Sequence, residues 1–199
     1  MTDPSRGGTR NLAVAALLCA LAVSGCASSP PSAHPDATRP AAGAISPGAT
    51  SPGAPNATEV GWLQLTIAMD DQARRILELA PQRSGSTRMK DWAAETAVRH
   101  RDRLAVLRSL LAARGVPDDN PHEGHDMPGM VDAREMRALR AARGPRFDRL
   151  LRSALIEHLD QSRKLAAAVR KAGAGADVRK AALATDTSAA EARRRLPPA

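Results

Sequence analysis

From Asn56 onward, apolar residues recur at three- and four-residue steps, the spacing that lines one face of an α-helix. Trp62, Leu65, Met69, Ala73, Ile76 and Ala80 form the first stripe, with Asn56 or Thr58 as N-cap and Pro81 as stop. Ser86 or Thr87 caps a second stripe of Met89, Trp92, Thr96, His100, Leu104, Leu107 and Leu111, ended by Gly115 and Pro117. A polar connection, Val116 to Val131, follows. Asp132 caps a shorter helix to Arg143, broken by Gly144-Pro145. A long helix then points Phe147, Leu151, Ala154, His158, Ser162, Leu165 and Val169 inward and ends at Gly173 or Gly175. An Ala- and Arg-rich last helix runs from Asp177 to about Leu196. No stretch alternates with the period of a strand. Four long helices and a short one in the central crossover predict an all-α fold, an antiparallel four-helix bundle. Its expected core includes Trp62, Trp92, Leu104, Leu107, Phe147, Leu151 and Leu155.

A faint internal repeat supports this reading. An offset of 89 residues (67 onto 156) places Ile67 on Ile156, Gln72 on Gln161, Arg75 on Lys164, Met89 on Val178, Ala93 on Ala182 and Thr96 on Thr185. Both halves read as helix, break, helix, as expected of a duplicated helical hairpin.

The first 55 residues follow other rules. Arg6 and Arg10 precede an apolar run, Leu12 to Val23, that ends in Val23-Ser24-Gly25-Cys26. Roughly a dozen apolar residues are too few to cross a bilayer, which takes about 20, and the pattern is that of a secretory signal. Its end resembles a bacterial lipobox, in which the cysteine takes the lipid and becomes the new N-terminus; a plain cleaved signal containing a cysteine is the alternative. The expectation is a signal over 1–25, lipidation of Cys26 and an outward-facing, lipid-anchored protein at the cell membrane. Residues 26–55 are Pro, Ser, Ala, Gly and Thr with almost no large apolar side chain, and are expected to be a disordered tether. His34 lies in it. Residues 56–199 remain as one helical domain.

Composition narrows the function. With Cys19 inside the segment to be removed and Cys26 acylated, no thiol is left for a disulfide. The net charge of +8 comes mainly from arginines spread over helix faces. An exported chain with two Trp, one Phe and no Tyr has little with which to stack on bases, so no nucleic-acid partner is expected. Nucleophile elbows, phosphate loops and dinucleotide fingerprints are missing, and neither long helix carries the Glu-x-x-His pair of a di-iron site. The chain is not expected to be an enzyme; a metal-dependent oxidoreductase ranks third among the functions considered.

The concentrated chemistry lies in His122-Glu123-Gly124-His125-Asp126-Met127-Pro128-Gly129-Met130, which holds two of five histidines and two of six methionines. Imidazole suits Cu(II), Zn and Ni, while thioether selects soft ions such as Cu(I), so the mixture favours copper. The competing reading is a polar loop whose methionines fill gaps on the bundle. His100 and His158 lie on inward helix faces, where a lone histidine is more often a hydrogen-bonded core residue than a ligand. With Met69 and Asp70 of the first helix they would be able to meet in the core, although Asp70-Asp71 reads more simply as a solvated helix edge.

His125-Asp126-Met127-Pro128-Gly129-Met130, Glu135-Met136, Leu139, Gly144, Phe147-Asp148-Arg149-Leu150 and Ile156-Glu157-His158 resemble domain-of-unknown-function family 305. The resemblance spans Trp62 to Leu196 and is specific from His125 to His158. It implies an exported, ferritin-like four-helix bundle, with copper binding in some members, and a His-His pair in each half. Here Leu159 follows His158 where the second histidine belongs, Met69-Asp70 occupies the first-half pair, and His100 stands where the family has glutamine. Two functions remain open. One is a copper-binding envelope lipoprotein using His122, His125, Met127 and Met130, with or without His158, Met69 and His100. The other is a metal-free structural or protein-interaction module.

Overall fold

The computed structural model describes residues 56–122 and 126–199. The signal-like segment 1–25, Cys26, the tether 26–55 and His125 lie outside the described residues. All regular structure among the described residues is helical: α1 (Ala57–Leu77), α2 (Ala80–Arg83), α3 (Thr87–Ala112), α4 (Ala133–Ala141), α5 (Gly144–Lys171) and α6 (Ala176–Arg195).

The caps follow the residue chemistry. The Asn56 side chain accepts from the Thr58 and Glu59 N–H groups, and Ser86 accepts from Met89. Asp132 and Glu135 close a reciprocal capping box at the start of α4. One expected stop is different. α1 ends at Leu77, before Pro81, and Pro81 instead sits in the first turn of the short α2. A first helical turn loses nothing by proline's missing N–H, because that group has no intrahelical acceptor there.

The four long helices form a ring in which α1 packs on α3 and α5, and α6 packs on α5 and α3. Two apolar clusters fix their directions. One joins the end of α1 (Ile76, Leu77) to the start of α3 (Met89, Trp92), the start of α5 (Phe147, Leu151) and the end of α6 (Ala189, Ala192). The other joins the start of α1 (Trp62, Leu63), the end of α3 (Leu107, Leu111), the end of α5 (Ala166, Val169) and the start of α6 (Val178, Ala182). Every neighbouring pair is therefore antiparallel, and the crossover from α3 to α5 must travel the length of the bundle. All seven expected core residues are buried.

The crossover is docked rather than free. Gln72 of α1 receives the Val131 N–H at 2.6 Å and donates to the Val131 carbonyl at 2.9 Å. At one end of the bundle, buried Glu59 takes the Arg114 guanidinium at 2.6 Å and the Gly175 N–H at 2.6 Å, tying α1 to the end of α3 and the start of α6. The repeat also has structural echoes. Thr96 and Thr185 are both buried and each returns its hydroxyl to the carbonyl four residues back.

Candidate metal centre

Between the two apolar clusters lies a polar layer. On α1, Thr66, Met69, Asp70 and Ala73 share the inward face through their three- and four-residue spacing; on α3 it is Thr96, His100 and Leu104, and on α5 Leu155, His158, Leu159 and Ser162. A ligand-type side chain at the same height on three helices brings one carboxylate and two imidazoles into one buried space.

Asp70 is the hub. It is fully buried, so the expectation of a solvated edge fails for it; only the adjacent Asp71 is half-buried and meets Arg108 at the bundle surface. Asp70 Oδ1 lies 3.0 Å from His100 Nδ1 and 3.6 Å from His158 Nε2. The two imidazole centroids are 5.0 Å apart. One ligand atom from each of Asp70, His100 and His158 falls within 4.8 Å of the other two, the one such His/Asp/Glu group among the described residues.

Arg103, one turn beyond His100, completes the layer. Its Nε donates to Asp70 Oδ2 at 2.5 Å and its Nη2 to Oδ1 at 2.6 Å, a two-pronged clamp that matches the carboxylate geometry. The same Nη2 stands 2.8 Å from His100 Nδ1. That ring nitrogen can serve one neighbour only: protonated it donates to Asp70, bare it accepts from Arg103. His158 is in a different position: both its ring nitrogens are buried without a close hydrogen bond, with Asp70 Oδ1 3.6 Å from Nε2 and the Gly129 backbone alongside.

The electrostatics follow. Burial is the largest influence on Asp70 and would raise its pKa, but the charges and hydrogen bonds of Arg103 and His100 together outweigh it, and the carboxyl is held well below the usual range. Burial pushes His100 down, and Asp70 offsets this only in part. His158 is pushed down to about 3, first by burial and then by His100, with Asp70 and the Gly129 backbone pulling weakly upward. At neutral pH the layer thus holds a carboxylate, a guanidinium and two neutral imidazoles.

The crossover closes over this layer at Gly129. Gly129 has φ +83°, and a Cβ there would stand 2.6 Å from the Gln161 Cβ and 3.0 Å from the Met69 Cε. The turn therefore lies against buried Met69 on one side and borders His158 on another. Gly129→Ala should cost about 1–3 kcal/mol through the left-handed backbone and the close approach; urea denaturation measures it, and a neutral result would show that the turn is not seated on Met69 and Gln161.

The expected site residues thus separate into two groups. His100, His158 and Met69 belong to the core layer. His122, half-buried, starts the loop with its N–H on the Asn120 side chain, while Met127 and Met130 are half-buried and line a shallow depression with Asp126, Glu135 and Glu157. Arg103 escaped the sequence reading. Its only signal is its place three residues after an inward histidine, which many solvated arginines share.

The family model described as "Domain of unknown function (DUF305)" matches residues 59–194. Among solved structures, the chain is similar to a DUF305 protein from Streptomyces coelicolor, named as a secreted-protein candidate. That match has 16% identity and a TM-score of 0.63, over 70% of this chain and 89% of the other. A DUF305 fragment from Deinococcus radiodurans matches at 17% identity and a TM-score of 0.64, over 72% of this chain and 95% of the other. At these identities the likeness shows a shared fold. No curated protein matches the chain.

Proposed function

The chain belongs to the DUF305 family, a family of unknown function, and from that premise we propose that it is an exported bundle protein that holds a transition-metal ion, copper foremost, in the polar layer of its core. The observation that carries this reading is the meeting of Asp70, His100 and His158 within 4.8 Å, with neither nitrogen of His158 held in a close hydrogen bond. Carboxylate oxygen and imidazole nitrogen suit a divalent first-row ion. Both imidazoles are neutral at pH 7, so neither must shed a proton to become a ligand. Buried Met69 beside Asp70 supplies a thioether at the edge of the layer and tilts the choice toward copper. Asp70, His100 and His158 are at most 2% exposed, which suits sequestration of an ion rather than turnover of a substrate.

Calorimetric titration of the purified protein with Cu(II), and with Cu(I) under reducing conditions, tests this. His158→Ala should weaken Cu(II) binding at least tenfold, while changing His122, His125, Met127 and Met130 together to Ala should leave the core site in place. If the loop variant loses binding and His158→Ala does not, the site belongs to the loop.

A second reading, a metal-free structural or interaction module, has one observation in its favour: Arg103 already neutralises Asp70. Titration that detects no ion would favour it.

Export is supported by the signal-like pattern of residues 1–25 and by the description of the Streptomyces coelicolor relative. We extend this to a lipid anchor at Cys26. Cys26→Ser should move the protein from the membrane fraction to the soluble one, since acylation needs the thiol. A variant that stays with membranes after a high-salt wash would remove the anchor from the model of function.

A further inference from the structure

The guanidinium of Arg103 stands where the cation of the proposed site would stand. Its Nη2 is 2.6 Å from Asp70 Oδ1 and 2.8 Å from His100 Nδ1, so one N–H group occupies the space between two of the three ligand atoms. Its Nε covers the remaining carboxylate oxygen at 2.5 Å. A metal ion and this guanidinium are both electron-pair acceptors for the same atoms, and their charges repel. They are alternatives, not neighbours.

Arg103 also has somewhere to go. Its side chain is 11% exposed, while Asp70 is fully buried, so the arginine runs from the sealed layer to the surface. It lines a groove of about 350 Å³ between α3 and α6, with Asp102, Val106, Ala181, Ala184 and Ser188 around it and Arg99, paired with Glu191, at its edge. The small residues on α6 leave room for a guanidinium, and the exposed Asp102 carboxylate at the rim, which Arg101 holds at 3.1 Å through Oδ1, adds negative charge there. A long flexible side chain between a buried carboxylate and a solvent groove is able to reach either one.

We propose that Arg103 is a displaceable internal cation that occupies the Asp70–His100–His158 site in the apo protein and swings into the α3–α6 groove when an ion takes its place. This rests on the metal-binding reading and adds its regulation. Asp70 faces a cation in both states: the guanidinium matches its charge in the apo protein, and a divalent ion leaves one net positive charge in the layer. Two consequences follow. Apparent metal affinity is set by competition with a tethered guanidinium, and the groove is the side from which an ion reaches the layer.

The test is titration of the purified wild-type protein, Arg103→Gln, Arg103→Lys and His158→Ala with Cu(II) and Zn(II). Arg103→Gln should bind at least tenfold more tightly than wild type. Arg103→Lys keeps the charge but loses the two-pronged clamp, and should fall between them. Equal or weaker binding by Arg103→Gln overturns the proposal while wild-type binding leaves the metal reading intact. Binding by Arg103→Gln alone supports the competition and overturns the metal reading for the wild type. Binding by neither overturns both. Should Arg103→Gln fail to fold, the wild type still decides: saturating Zn(II) should move the Arg103 Nε–H nuclear magnetic resonance signal from a protected to a solvent-exchanging position, and an unmoved, protected signal overturns the exchange.

Discussion

Replacing Asp70 by Ala should cost about 3–5 kcal/mol of folding stability, the range for breaking a buried ion pair from one side. Arg103 would then face a space with no carboxylate, His100 would lose its 3.0 Å neighbour, and a cavity would open in a dry layer. The loss should sit toward the lower end of the range if Arg103 relaxes into the α3–α6 groove that it already lines. The double change Asp70→Ala with Arg103→Met should regain much of it, since no buried charge then remains unpaired. Urea denaturation of the three variants gives the coupling directly. A loss below about 1 kcal/mol for Asp70→Ala would mean that the pair behaves like an exposed one.

The second large effect is acid sensitivity of the metal-free protein. His158 titrates near 3 when folded, whereas an unfolded imidazole titrates near 6.5. Between these values the unfolded chain binds a proton that the folded chain refuses, so stability is greatest above about 6.5 and falls as the pH drops. The slope for this one group is about 1.4 kcal/mol per pH unit. Burial pushes His100 the same way, and its share adds in the same direction. Asp70, held low, contributes stability above the unfolded carboxyl pKa near 4 and loses it only below that, so it steepens the acid end alone. Over three pH units the sum rivals the whole stability of a small domain. Denaturation at pH 7, 6, 5 and 4 with a chelator present should show a steep fall, and His158→Leu should remove about one proton from the slope. A flat profile from pH 7 to 4 would mean that the imidazoles accept protons in the folded state.

The first effect depends on Asp70, which the primary sequence presented ambiguously. Asp70-Asp71 looks like many solvated helix edges, and only the register of α1 against its neighbours separates the two: Asp70 shares its face with Thr66 and Ala73, and Asp71 turns out toward Arg108. His100 and His158 were more legible, because each replaces an apolar residue in an otherwise regular stripe. Arg103 was not legible at all. A long side chain can reach inward from a flanking position, so its place in the helical pattern does not disclose where its charged end rests.

What the sequence determined by itself is what depends on short-range spacing. The four long helices, the capping residues Asn56, Ser86 and Asp132, the buried stripe from Trp62 to Val169 and the break at Gly144-Pro145 all follow from local period and local hydrogen bonding. Tertiary structure decided the rest. It set Pro81 inside a separate short turn, pinned the crossover through Gln72 and Val131, and seated Gly129 on Met69 beside His158. It also brought Asp70, His100, Arg103 and His158 together from three helices. These four residues lie up to 88 positions apart (158 − 70), and their meeting depends on the relative height of packed helices, which local spacing does not encode. A helix periodicity tells which face turns inward; only packing of one helix against another tells what that face will touch.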